Sequence, residues 1–377
     1  MKRYELMIPG PVPVEPEVLQ ACAEPLVAHY GAEWTEFYLE TLELLKKVLQ
    51  TQGEVFLIPG SGSAGLDAMI GSLLGHHRKA LVMSGGPFGE RLYEITRSHT
   101  DQVAVVRVPA GQPIKPDLLE DTLRKDPAEV VLVTHCETSA GVLNPVKELN
   151  AVCREHDCLL AVDAVSSLGG APLPLDEWEI PACVTATQKC LGIPPGFAVV
   201  AVSPKAWKLV EQSDVRGWYL NLRTWKLYAE RERDWHPYPV TISTGLVEAL
   251  RKSLELILSE GLEARFRRHA EVAAFLRQEL RNLGLQVLAP EEYASPTVTA
   301  VLTDGRLQIE ELRNFLKREC NILIAGGSGA LRDKTFRIGH MGLSAKKERI
   351  VTLLSGIERA MKSQGIEVPR GSAKAGQ

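Results

Sequence analysis

The stretch CLLAVDAVSSLGG at 158–170, followed after a linker by ACVTATQKCLGIPPG at 182–196, decides the fold. An apolar run at 159–162 delivers Asp163, and a second run at 182–187 leads to Lys189. Apolar runs this short, bounded by turn residues, read as buried strands of a parallel sheet. Ligands of open α/β sheets gather at the carboxyl ends of the strands, so both groups point toward one edge.

A carboxylate and a lysine placed in this way suit pyridoxal 5′-phosphate. The lysine amine forms a Schiff base with the aldehyde, and the carboxylate keeps the pyridine nitrogen protonated so that the ring acts as an electron sink. The same two residues also fit a surface lysine and a helix-capping aspartate that never meet. The rest of the chain decides between these readings.

Upstream, a strand at 55–58 runs into Gly60-Ser61-Gly62-Ser63 and then a helical pattern. Glycines let backbone amides approach an anion, and the helix N-terminus adds its positive dipole end, so this is a phosphate cradle or else a flexible turn. It matches neither Walker A nor the complete dinucleotide fingerprint. The βα rhythm repeats over 79–110, where Phe88 stands among Gly85, Gly86 and Gly89 at a strand mouth. It can stack on a planar ring or pack in the core. A strand at 130–134 leads into His135, Glu137, Thr138, Ser139 and Asn144, a helix follows at 146–156, and a strand at 197–202 follows the IPPG turn. This alternation implies right-handed crossovers and a mostly parallel sheet.

At the N-terminus, recurring prolines make residues 1–15 an extended arm, expected to lie over another surface such as a second subunit. Helical patterns follow at 16–23 and 35–49, with His29 and Tyr30 between them, read as packing residues that could also face a site. From 203 to 239 the pattern weakens; AERERD reads as a solvated face, and Trp218, Trp225 and Trp235 suggest packing against something large. A long helical pattern at 247–283 breaks near Gly261, and the remainder reads as a compact α+β unit with helices at 307–318 and 345–362. The expected division is an arm at 1–15, a large domain at 16–246, a small α+β domain at 247–368 and a disordered tail at 369–377.

Composition removes several classes of function. The 377 residues are 45% hydrophobic and 24% charged, ordinary globular values, and the net charge of -4 gives no basic footprint for nucleic acid. No apolar run suits a membrane span, and no signal-peptide pattern opens the chain, which is compatible with cytoplasm. Seven cysteines without a C-x-x-C pair fit neither a disulfide framework nor a zinc site, and read as core residues of a reduced compartment.

With these motifs assembled, the chain resembles the class V aminotransferases, fold type I pyridoxal phosphate enzymes, and within them the alanine–glyoxylate/serine–pyruvate branch. GSGS, GPFGER, THCETSAGVLNP, VDAVSSLGG, TATQKCLGIPPG and FRIGHMG occur in the family's order over nearly the whole length. The resemblance implies a large domain with a mostly parallel seven-stranded sheet between helices, a smaller C-terminal domain, and a homodimer with shared active sites. It implies that Lys189 is the Schiff-base lysine and Asp163 the partner of the pyridine nitrogen. Ser61, Gly62 and Ser63 match the phosphate loop, and Gln188 a cofactor-contacting glutamine. Phe88 and Val165 match the residues on the two ring faces, and Thr138 lies where relatives approach the phenolic oxygen. Tyr238 and Thr241 match a Tyr-x-x-Thr pair that reaches the neighbouring subunit's phosphate, and Arg337 the clamp on the substrate α-carboxylate.

The implied activity moves the amino group of alanine or serine to glyoxylate or pyruvate. One arginine and no evident second cation favour small substrates without a distal carboxylate. Ser63 departs from the histidine of mammalian-type relatives. Cysteine desulfurases resemble the chain less, because Gln188 and not histidine precedes Lys189, and the loop Gly326-Gly327-Ser328-Gly329 carries no cysteine. Cys320 reads as buried and not as a nucleophile. Other members of the wider family, transaminases of 2-aminoethylphosphonate or ureidoglycine or a lyase, stay as alternatives, as does a non-enzymatic protein that kept the fold.

Overall fold

The computed structural model describes residues 2–368; the tail expected at 369–377 lies outside the described residues. The main sheet has seven strands, in the spatial order Glu54–Pro59, Phe197–Val202, Ala182–Ala186, Leu159–Asp163, Val130–Thr134, Ala80–Ser84 and Val103–Arg107. Every pairing is parallel except the two made by Phe197–Val202, which runs against both of its neighbours. Four inner strands, Ala80–Ser84, Val130–Thr134, Leu159–Asp163 and Ala182–Ala186, are buried at every residue. That is why they read as continuous apolar runs and not as alternating ones.

Chain direction across the sheet reverses beside Ala80–Ser84. From there the chain moves outward to Val103–Arg107 and then returns on the other side at Val130–Thr134. Loops leaving the two sides diverge, and a crevice opens at the carboxyl ends, the usual ligand position in such sheets. Helix Gly62–Leu74 closes one face of it. Ten of its thirteen residues are buried, as expected of a helix that is apolar almost all round.

A second, separate core lies under the sheet Gln286–Val287, Val298–Leu302, Thr335–Gly339, Ala325–Gly326. Helices Leu262–Asn282, Ile309–Glu319 and Lys347–Ser363 cover it. Helix Thr244–Glu260 buries Val247, Leu250, Leu254 and Ile257 in the first core, so by packing it joins the large sheet although it follows the division expected at 246. The break at Gly261 is real: the residue sits at φ +81°, ending one helix and opening the next.

Three helices were not legible in the sequence: Pro116–Lys125, Pro204–Glu211 and Leu222–Arg231. Each is short and buries only two or three side chains. Of the three tryptophans expected to pack, Trp225 is buried, whereas Trp218 and Trp235 are about half exposed at 52% and 49%.

The N-terminal arm is extended and lies over the rest of its own chain. Glu5–Leu6 pairs in parallel with Ile322–Leu323, Met7 is fully buried in the second core, and the Val12 amide donates to the Gln188 carbonyl at 3.1 Å. A prolyl segment forms few regular backbone bonds, so sequence pattern alone gives its shape but not its destination.

Candidate active site

Four strand ends supply the site. Leu159–Asp163 ends on Asp163, Ala182–Ala186 leads in three residues to Lys189, Ala80–Ser84 leads to Phe88, and Val130–Thr134 leads to Cys136 and Thr138. The glycine turn after Glu54–Pro59 brings Ser61, Gly62 and Ser63 to the same edge. These residues, with Val165, Gln188, Leu66, Arg91 and Ser166, line one cavity of about 180 Å³. Nine of the twelve expected site residues converge there, and the surface-lysine reading of Lys189 fails with them.

Asp163 is buried. Its Oδ1 accepts the Val165 amide at 2.9 Å, yet burial pushes its carboxyl up to about 6, because no cation pairs with it directly. Lys189 is held below the usual lysine range by burial; its amine donates to the Pro9 carbonyl. Each group thus sits in an environment that disfavours its charge, which is where chemistry is commonly placed.

The helix Gly62–Leu74 begins at Ser61 with no side chain bonded to its first amides, so those amides and the dipole end serve the cavity. Glycine is needed at 62: a Cβ there would lie 2.9 Å from Val165 Cγ2. Gln188 Oε1 is buried without a hydrogen-bond partner. Thr138 Oγ1 donates to Ser166 Oγ at 2.7 Å.

Three expected residues lie elsewhere. Arg337, on the strand Thr335–Gly339, does not line the cavity, though its charge reaches Lys189 and Glu137. Its Nε donates to the Gly326 carbonyl at 2.9 Å. Tyr238 is fully buried in its own chain, where its hydroxyl accepts from Trp34 Nε1 at 2.7 Å and donates to the His29 carbonyl. Thr241 is exposed. Tyr30 stacks on Trp235 with centroids 4.8 Å apart, in keeping with a packing role.

Other polar residues after Val130–Thr134 brace the loops. Glu137 accepts the Gly89 amide at 3.1 Å and the Ser139 hydroxyl at 2.5 Å, tying the strand end to the helix Pro87–His99 that carries Phe88. Asn144 accepts the Ile114 amide and donates to the Thr134 carbonyl. His135 is buried and driven down to about 3 by burial, hence neutral.

Sequence reasoning missed Leu66, Arg91, Cys136 and Ser166. A signal existed for Arg91, which stands three residues beyond Phe88 and so on the same helix face; its guanidinium carbon lies 5.1 Å from the Phe88 ring centre. Arg91 is a second cation at the cavity and corrects the argument from its absence. Cys136 is pushed up to about 11 by burial, and Cys190 up to about 12, so neither is a thiolate. All seven cysteines are free. Cys320 packs at the margin of the second core with its thiol raised by burial, as expected of an inert side chain. Among the described residues no cluster of metal-ligating side chains occurs, and no helix is long and apolar enough to cross a membrane.

The geometry agrees with what the chain is similar to. An uncharacterized aminotransferase of Methanocaldococcus jannaschii is 40% identical over 365 residues, 96% of this chain and 94% of the relative. The (S)-ureidoglycine–glyoxylate transaminase of Bacillus subtilis is 32% identical over 390 residues, 98% and 93% of the two chains. Among solved structures, the alanine–glyoxylate aminotransferase of Nostoc sp. superposes with a TM-score of 0.91 at 30% identity, covering 96% of each chain. The family model for aminotransferase class-V matches residues 17–350, and the chain belongs to the class V aminotransferases.

Proposed function

We propose that the protein transfers the amino group of a small amino acid, alanine or serine, to glyoxylate or pyruvate, in two half-reactions at one site. Family membership implies pyridoxal 5′-phosphate as the cofactor, and the residues present fit it. The uncapped helix end at Ser61–Ser63 suits a phosphate, and the unpartnered Gln188 Oε1 leaves a free acceptor at the same cavity. The observation that carries the reading is the convergence of Lys189, Asp163, Phe88 and this cradle on one cavity.

When bound, the cofactor supplies an aldehyde carbon that takes up the amine and a ring that accepts the electron pair released at the substrate α-carbon. Phe88 and Val165, which line the cavity, would hold the ring. Asp163, ionised, would hold a proton at the ring nitrogen. Thr138, with a hydroxyl at the same cavity, would serve the ring's oxygen substituent. Lys189 Nζ, already kept below its ordinary range by burial, is suited to taking the proton from the α-carbon and returning it. The planar fork of Arg337 binds both oxygens of the α-carboxylate.

We read the working form as a homodimer in the cytoplasm. Thr241, being exposed, is the member of the Tyr-x-x-Thr pair free to serve a neighbour's phosphate, whereas the Tyr238 hydroxyl is engaged at home. The ureidoglycine–glyoxylate relative supports a second substrate class on the same machinery. The test is a panel of amino donors, alanine, serine, ureidoglycine and aspartate, each assayed against glyoxylate and pyruvate. Alanine or serine should head the panel, and turnover restricted to another donor would replace the substrate assignment.

A further inference from the structure

The N-terminal strap runs directly between the two groups that a substrate must meet. On one side, the Gly339 amide, at the end of the strand that carries Arg337, donates to the Met7 carbonyl at 2.8 Å. Ser344 Oγ donates to the Leu6 carbonyl at 3.0 Å. On the other, the Pro9 carbonyl accepts from Lys189 Nζ, and Val12 packs with Cys136 and Cys190. Gly10 sits at φ +111°, a left-handed conformation that favours glycine. A Cβ at this position would lie 2.6 Å from both Cδ and Nζ of Lys189 and 2.8 Å from Cε. The strap backbone therefore touches the lysine amine with no space to spare.

A donor whose amine takes over from that of Lys189 brings its α-carbon and side chain to the same backbone. Its carboxylate is drawn toward Arg337, on a strand to which the strap is itself bonded, so the strap cannot yield independently of the clamp. We propose that residues 8–11 form the wall of the substrate subsite facing Lys189, with Gly10 as its specificity-determining residue. The wall admits side chains of one or two heavy atoms and excludes longer ones. This rests on the transaminase reading and deepens it, giving the preference for small donors a steric cause that Arg91 does not disturb.

The experiment compares wild type, Gly10→Ala and Pro9→Gly as purified enzymes saturated with pyridoxal phosphate. Two readouts are taken: borohydride trapping of the cofactor on Lys189 by mass spectrometry, and kcat/KM for glycine, alanine, 2-aminobutyrate and norvaline. One methylene against a fitted wall is worth about tenfold or more. Wild type should therefore take alanine and 2-aminobutyrate within about threefold of each other and fall by about tenfold or more at norvaline. Gly10→Ala should lose trapping by about tenfold while losing only a few degrees of melting temperature. Pro9→Gly keeps the carbonyl but loosens the strap, and should narrow the preference for alanine over norvaline to under about threefold. A wild type that traps cofactor but takes all four donors alike overturns the strap proposal alone; a wild type that traps none overturns the transaminase reading beneath it. Full trapping and unchanged selectivity in Gly10→Ala also overturns the proposal. Should that variant not fold, unchanged selectivity in Pro9→Gly does the same.

Discussion

Asp163 and Val165, two residues apart, are joined by a hydrogen bond from the Val165 amide to Asp163 Oδ1 at 2.9 Å. The bond fixes the carboxylate at the strand end and commits one oxygen, so the other is aimed by backbone geometry. Asp163→Asn should keep this bond through its amide oxygen and lose only the charge. We expect a folded protein with a half-reaction rate down about 10²–10³-fold, the usual worth of one electrostatic group acting on developing charge. Stopped-flow measurement with alanine checks it; a near-wild-type rate removes Asp163 from the chemistry.

Burial raises Asp163 from an ordinary 3.8 to about 6. With the folded-state value above the unfolded one, its contribution to stability is fully present below about pH 4 and is lost as pH rises through about 6. A cofactor protonated at its ring nitrogen prefers the ionised carboxylate, so the stabilisation it confers should grow over the same window. Melting temperatures with and without pyridoxal phosphate at about pH 5 and about pH 7.5 test this. The increment should be larger at the higher pH in wild type, and the difference should shrink in Asp163→Asn.

Arg337 has two duties to separate, a bond to the Gly326 carbonyl and the proposed carboxylate clamp. Losing a charge-assisted partner typically costs about 2–5 kcal/mol, or roughly 30- to 5,000-fold in affinity. Arg337→Ala should therefore weaken alanine, serine and glyoxylate together, and Arg337→Lys should rescue only partly because a point charge lacks the fork. A large fall in melting temperature with normal substrate saturation would assign Arg337 to bracing alone.

Tyr238→Phe removes a hydroxyl that satisfies both Trp34 Nε1 and the His29 carbonyl. Leaving a buried donor unpaired costs about 1–3 kcal/mol, so stability should fall while cofactor affinity changes by less than about threefold. Thr241→Ala should do the reverse if a neighbour's phosphate is its ligand. Equilibrium dialysis of pyridoxal phosphate and thermal melts on both variants separate the two roles.

The sheet and most of the site were legible because buried parallel strands leave continuous apolar runs. The strands at 130–134 and 197–202 match the structure residue for residue, and Asp163, Lys189 and Ser61–Ser63 were found from the turns at strand ends. What escaped notice depends on contacts between distant segments. Helix Pro116–Lys125 buries only Leu119 and Leu123, too few for a periodic signal. Tyr238 meets Trp34 across 204 residues, and no local pattern encodes that pairing. The arm's prolines announced an extended backbone, but its course past Lys189 is set by Met7 in the second core and by the 3.1 Å bond from Val12 to Gln188.

The central claim is that pyridoxal phosphate is held covalently by Lys189. The most direct measurement is borohydride reduction of the purified protein saturated with the cofactor, followed by peptide mass spectrometry. The account predicts a pyridoxyl phosphate adduct on the peptide containing Lys189, and none in Lys189→Ala, which should still retain cofactor through the Ser61–Ser63 cradle. An adduct on a different lysine, or no adduct at a concentration where cofactor is bound, would contradict it.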